Sequence, residues 1–232
     1  MAENKGHSQA GNSGKTECRR CGTCCRQGGP ALHGEDRTML DEGVLSIRQL
    51  VAVRYLEPAL DPLKDEILPS RSEFLKVRGQ SASWACIFFD QAERGCSIYG
   101  TRPLECRLLF CRDTAPLEDV LWKDLLTRRD LLAVDDPVLS LIQQLDDECS
   151  YELLNDLLTG AKSKTVEVVE KLSSLVRLDL AVRDIFLNSF PERQSEELFL
   201  FGRPLFLVLA PYGFRLIEGP GGVSLRVGNP SR

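Results

Sequence analysis

Four cysteines fall within one short stretch, Cys18-Arg19-Arg20-Cys21-Gly22-Thr23-Cys24-Cys25, and a wider set follows at Cys86, Cys96, Cys106 and Cys111. Thiolates are soft donors that hold zinc or iron. A two-residue gap between cysteines lets the chain turn so that both sulfurs face one ion while the intervening amides hydrogen-bond to sulfur. Cys18, Cys21 and Cys24 form two overlapping gaps of this kind, so by spacing alone they can share an ion. Adjacent residues project in different directions, which makes Cys25 a ligand of a second metal, or part of the outer shell, before a co-ligand of Cys24. The first group is thus half a site, and the late cysteines must fold back to complete it. Eight thiols suffice for two four-thiolate sites or for one cluster with spare thiols.

Other readings of the same residues are weaker. The spacing opens the bacterial ferredoxin run, but Cys25-Arg26 stands where that run continues to a further cysteine and proline. A zinc ribbon needs a second close Cys-x-x-Cys pair, which the late cysteines do not offer, and the radical-SAM spacing is missing. A zinc ion with four thiolates carries a formal charge of about −2. Arg19, Arg20, Arg26, Arg102, Arg107 and Arg112 therefore read equally as counter-charges or as ordinary surface residues. His33 follows a Gly-Gly-Pro loop and reads as a solvent-facing histidine rather than a ligand; His7 reads as uninvolved. Cys149 continues the apolar face of Leu145 and reads as a small core residue. Two histidines are too few for a Cys-His nucleophile system. No glycine-rich phosphate loop follows a predicted strand, so no general base or catalytic residue is named.

The elements that must position these thiols are short up to Cys111 and longer beyond it. Ser46 caps a predicted helix through Ile47, Leu50, Val51, Val53 and Tyr55 that ends near Glu57, before Pro58. Residues 61–70 read as a connector. Glu73–Arg78 alternates at period two and predicts a strand, and Trp84–Phe89 predicts a second, with Asp90–Gly95 turning into Cys96. Thr101 and Pro103 mark a helix start that places Cys106 on a short helix. Cys111 would lie about 140° around a continuous helix from Cys106, so the two can serve one ion only if that helix ends between them. Helical spacing then covers 116–132, 138–149 and 163–190. The apolar run 205–210 and Phe214–Ile217, separated by Pro-Tyr-Gly, predict a β-hairpin. The fold class is α+β, mainly helical: a flexible tail over 1–16, a cysteine-cluster region over 17–112, and a helical region with a C-terminal β-hairpin over 113–232.

Composition narrows the function classes. A hydrophobic fraction of 43% and a charged fraction of 27% belong to an ordinary globular chain with a real core. The net charge of −5 gives no general attraction to nucleic acid or anionic lipid. No stretch is apolar for the roughly 20 residues a membrane span needs, and residues 1–17 lack the apolar core of a secretory signal. The expectation is a cytoplasmic protein, where thiols stay reduced and serve as ligands before they form disulfides.

With these residues in view, the chain resembles the widespread bacterial YkgJ-like cysteine-cluster (CxxCxxCC) family, described as zinc- or iron-chelating domains. The likeness is carried by Cys18-x2-Cys21-x2-Cys24-Cys25, then Cys86 with Phe88, then Cys96-x-Ile98-Tyr99-x2-Arg102-Pro103-x2-Cys106-Arg107, over about residues 17 to 112. The resemblance implies a Cys-ligated zinc or iron centre, an iron-sulfur cluster included. It carries ligand status to Cys18, Cys21, Cys24, Cys25, Cys86, Cys96 and Cys106; Cys111 is added by count. A similar cysteine domain occurs in bacterial flagellin lysine methylases, which implies an alternative in which the centre serves a redox or methyl-transfer enzyme. The partners expected are a metal ion and, through the C-terminal helices, another protein.

Overall fold

The computed structural model describes residues 20–228 apart from 62, 63, 65, 81, 82, 161–164 and 221. The tail read over 1–16, and with it Cys18 and Arg19, lies outside the described residues. The chain is a mixture of helix and strand, 47% and 20%, with helix concentrated after residue 138. Its first half is built from α1 (Thr23–Arg26), α2 (Arg37–Asp41), β1 (Leu50–Val53), β2 (Pro58–Asp61), β3 (Glu66–Pro69), β4 (Phe74–Val77), β5 (Phe89–Asp90), β6 (Gly95–Cys96), α3 (Leu104–Leu108) and α4 (Ala115–Glu118). There follow α5 (Arg128–Leu131), α6 (Leu139–Glu148), α7 (Tyr151–Gly160), α8 (Val166–Ser189), α9 (Glu197–Phe201), α10 (Leu205–Leu209) and the hairpin β7 (Phe214–Gly219) and β8 (Gly222–Val227).

The predicted helix after Ser46 is instead a capped turn leading into a strand. The Ser46 amide donates to the Gln49 side chain at 2.9 Å and its hydroxyl accepts from the Arg48 amide at 3.4 Å, holding a single 3-10 turn. The chain then enters β1, which pairs antiparallel with β4 in the register Leu50↔Val77, Val51↔Lys76, Ala52↔Leu75, Val53↔Phe74. All four β1 residues are buried. A run covered on both faces satisfies strand and helix patterns alike, and here tertiary burial selected the strand. Residues 61–70, expected as a connector, contribute to the β2–β3 hairpin, in which Pro58 faces Pro69.

The strand over 73–78 is present as β4. Of the strand expected over Trp84–Phe89, only a single bridge from Cys86 to Gly79 and the start of β5 exist. The turn into Cys96 forms as expected, with Asp90 Oδ1 accepting from the amides of Ala92 at 2.8 Å and Glu93 at 3.0 Å. The helical pattern over 116–132 is broken. Trp122 and Asp124 take positive φ (65° and 49°), and the chain runs extended beside Leu32, whose carbonyl accepts from Leu126 N at 2.9 Å. Backbone pairing with a distant segment outweighed local helical preference.

Farther on, α6 and α8 match their periodicity, and Thr165 caps α8 by accepting from Val168 N at 3.4 Å. α7 had no predicted counterpart. The run 205–210 is α10 followed by a 3-10 turn at Ala210–Tyr212, not a strand, so the C-terminal hairpin is β7 with β8 across a Gly219↔Gly222 turn. Leu205, Val208 and Leu209 are buried and Leu207 is exposed, a helical face that a short apolar run conceals in sequence.

One buried cluster joins Leu32, Leu50, Leu75, Cys86 and Phe89 to Leu145, Val182, Phe186 and Phe199–Phe201. A smaller one packs Leu172 and Val176 of α8 against α10 and the hairpin. Two buried arginines reinforce the first. Arg54, just past β1, donates to Asp146 Oδ1 at 2.7 Å and to the carbonyls of Leu145 and Cys149 at 2.9 and 3.0 Å, capping the C-terminus of α6. Arg128 donates to Asp146 Oδ2 at 2.7 Å and Leu200 O at 2.8 Å and pairs with Glu73. No helix among the described residues is long and apolar enough to cross a membrane.

Candidate metal centre

The first cysteine group turns at Gly22, whose φ is 75°, and enters α1, which carries Cys24 and Cys25. A Cβ on Gly22 would lie 2.4 Å from the Phe89 ring, so this position needs glycine for conformation and for space. Arg26 closes the turn by donating to Cys21 O at 3.3 Å, with its guanidinium 5.3 Å from the Phe89 ring centre. The late group meets this turn directly: Cys86 N donates to Cys25 O at 2.7 Å. Gln80 fixes the meeting point, its side-chain amide donating to the carbonyls of Cys86 at 3.2 Å and Phe89 at 2.8 Å. Cys96 is set by β6, facing Phe89 of β5.

Cys106 is placed by α3, and α3 is held by a polar clamp. Asp36 Oδ1 accepts from Leu104 N at 2.8 Å and so caps the first turn from a distant segment, whereas the Thr101 hydroxyl donates to Ile98 O. Glu105 Oε2 accepts from Ala31 N at 2.8 Å. His33, expected in solvent, is 2% exposed. Its Nδ1 is 2.8 Å from Lys123 O and its Nε2 is 3.5 Å from Glu105 Oε1. Burial alone would depress its pKa; the Glu105 carboxylate and the Lys123 carbonyl outweigh this, and the pKa is raised. The histidine is therefore a buried bracket for α3. Its isolated place after a glycine loop gave no sign of this, because the partners lie 72 and 90 residues away.

α3 ends at Leu108 with Leu109 extended, so Cys106 and Cys111 do not share a continuous helix. Cys111 lies exposed on the turn bridged by Phe110 and Asp113, and Cys21 is exposed as well. The remaining thiols near the first turn act on one another. Burial first, then the charges of Cys86, Cys24 and Cys96, pushes the Cys106 thiol well up. Burial and the charges of Cys96 and Cys24 likewise raise Cys86. Cys24 and Cys25 form a hydrogen-bonded pair with sulfurs 4.0 Å apart. That bond lowers the Cys24 pKa to about 6, with Arg102 contributing, and raises that of Cys25. Cys21 also feels the charge of Cys24, so the described thiols that influence one another here are Cys21, Cys24, Cys25, Cys86, Cys96 and Cys106.

The Ile98-Tyr99-x2-Arg102-Pro103-x2-Cys106 motif acquires a physical account. Arg102 and Arg20 lie over the Tyr99 ring at 3.7 and 4.0 Å, and Pro103 sets the start of α3. Arg102 Nε is buried without a hydrogen-bond partner, and its charge reaches Cys24. Of the arginines read as either counter-charges or surface, Arg102 has an electrostatic link to a thiol, while Arg107 pairs with Glu35 and is half-exposed. Cys149 is fully buried at the end of α6, its sulfur donating to Leu175 O at 3.5 Å, and burial pushes its thiol up to about 12.

The residues suit a soft metal in type. Two thiolates on one tetrahedral zinc at ~2.3 Å stand about 3.8 Å apart, and the Cys24–Cys25 pair is close to that at 4.0 Å. As placed, no three His, Cys, Asp or Glu side chains among the described residues form a group that could hold a metal ion. The thiols are gathered more loosely than a finished coordination shell.

Residues 17–120 match the family model described as "CxxCxxCC: Putative zinc- or iron-chelating domain", which bears out the resemblance over that stretch. No curated protein and no solved structure matches the chain.

Proposed function

We propose that the chain is a metal-binding protein whose two cysteine groups hold a Cys-ligated zinc or iron centre. The ligands are drawn from Cys18, Cys21, Cys24, Cys25, Cys86, Cys96, Cys106 and Cys111, with the convergent set Cys24, Cys25, Cys86, Cys96 and Cys106 at its heart. The observation that carries this reading is the 2.7 Å bond from Cys86 N to Cys25 O, which brings the late cysteines onto the early ones. Zinc bound there would cross-link two distant stretches of chain; iron would add electron transfer. The close Cys24 and Cys25 sulfurs favour Cys25 as a co-ligand over an outer-shell group.

Metal analysis of protein purified without oxygen tests the proposal, and a chain isolated with neither zinc nor iron ends it. Cys106→Ser and Cys21→Ser are expected to strip the metal, and Cys149→Ser to retain it. Equal loss from all three would remove the distinction between ligand and core cysteine.

A further inference from the structure

Segment 31–34 interlocks with β4 and with the stretch that leads into α5. Leu32 N donates to Leu75 O at 2.9 Å, Leu126 N to Leu32 O at 2.9 Å, and Leu75 N to Leu126 O at 2.8 Å. Just before Leu126 the backbone is strained. Trp122 and Asp124 hold φ at 65° and 49°, the left-handed region that L side chains keep only where their surroundings enforce it. The enforcement comes from 31–34. His33 Nδ1 is 2.8 Å from Lys123 O and must be the donor, since a carbonyl oxygen only accepts, and Gly34 N donates to Asp124 O at 2.8 Å. A Cβ on Gly34 would lie 2.4 Å from Asp124 Oδ2, so the aspartate side chain closes directly over this glycine. The Trp122 ring rests edge-on against Phe74 of β4, with ring centres 5.8 Å apart.

The same segment carries α3. Ala31 N donates to Glu105 Oε2 at 2.8 Å, and the second ring nitrogen of His33 stands 3.5 Å from Glu105 Oε1. Glu105 adjoins Cys106 on a helix of five residues that buries none of them. So short and lightly packed an element moves as a body when one of its side chains is drawn to a ligand. A draw of that kind is required for loading, because no three His, Cys, Asp or Glu side chains among the described residues are placed to hold an ion. Moving α3 shifts Glu105, and Glu105 bears on the histidine that braces the strained turn.

We propose that Glu105 and His33 form a relay that couples metal loading at Cys106 to the Trp122–Asp124 turn, which takes different settings in the loaded and the metal-free chain. The inference rests on the metal-binding reading above and adds how the state of that centre is felt elsewhere. A turn whose strain is opposed by two hydrogen bonds is a two-state element, so a small displacement of His33 decides which side prevails. Lys123 and Asp124 are exposed, and they carry the change to the surface.

The chain has two tryptophans, Trp84 and Trp122, so the turn can be watched by fluorescence. The test uses a full-length Trp84→Phe chain, purified without oxygen, with zinc alone as probe. Bound zinc is measured with a chromophoric chelator, and emission is compared at equal zinc content. Zinc should shift the Trp122 emission maximum. Adding His33→Leu should abolish most of the shift per zinc bound, and Glu105→Ala should do the same by cutting the link at its other end. The exposed control Lys171→Met should leave the shift unchanged. Zinc binding with Trp122 emission unmoved overturns the relay and leaves the metal reading standing, and so does a full shift in either variant. If one variant does not fold, the other decides. Failure of both to fold or to bind zinc also overturns the relay, because His33 and Glu105 would then support the site rather than report its state. A Trp84→Phe chain and a native chain that both bind no zinc overturn the metal reading as well.

Discussion

The cysteine-bearing elements and the C-terminal helices solve the problem of stability in different ways. α1 and α3 contain no buried residue, and β5 and β6 pair over only two residues each. By contrast α8 runs for 24 residues and buries Leu172, Val176, Val182 and Phe186, which meet Phe199, Phe201 and Leu205 from α9 and α10. One side is held by distributed apolar burial. The other reaches the large buried cluster through Cys86 and Phe89 and is otherwise held by single contacts, a glycine under a phenylalanine, a glutamine on two carbonyls, an aspartate on a helix end, arranged around thiols. Elements too short to bury their own faces need a cross-link, and a metal is what their cysteines can bind.

Removing the metal should break this contrast most visibly. A structural zinc site contributes on the order of 10 kcal/mol, so chelation should release the amides of Cys86, Phe89 and Ser97 to hydrogen exchange while those of α8 stay protected. Uniform loss of protection would show that the two regions have no separate supports. Next in size, Phe186→Ala should cost about 3–5 kcal/mol, because the ring is fully buried and packs edge-on to Phe201 at 5.1 Å; denaturant titration of the zinc-loaded chain would read it. Asp146→Ala should cost roughly 3 kcal/mol by leaving Arg54 and Arg128 without their shared partner. It should lower the stability of both regions together, and an effect confined to α6 would contradict that.

The smallest effect concerns His33. Its folded pKa is raised above 6.5, so the stabilisation it draws from Glu105 is fully present below pH 6.5 and is lost as pH rises through the folded value. Native protein and His33→Gln should therefore differ by up to about 1 kcal/mol in mild acid and converge in alkali. A gap that widens with pH would show that the histidine is held neutral.

What the sequence disclosed was local. The cysteine spacing, the short helix bearing Cys106, α6, α8 and β4 each announce themselves through near neighbours. β1 and α10 were misread because a short apolar run buried on most sides fits either period, and only the partner decides. The break at Trp122–Asp124 came from pairing with Leu32, ninety-odd residues back. His33 shares that cause: a histidine after a glycine loop looks like surface until Glu105 and Lys123 arrive from elsewhere in the chain. The site was legible as a list of donors with Arg102 among its candidate counter-charges, and its brackets were not.

The buried cluster that runs from Leu32 to Phe201 sets a practical boundary. The family match ends at residue 120, yet Leu50, Leu75 and Val77 rest on side chains of α6, α8 and α9, and Arg54 spends its hydrogen bonds on the end of α6. A gene fragment cut where the match stops would present that apolar surface and an orphaned guanidinium to water. The segment that can be recognised by its motif is smaller than the segment that can be expressed, and any excised chelating module would have to keep residues through at least Phe201.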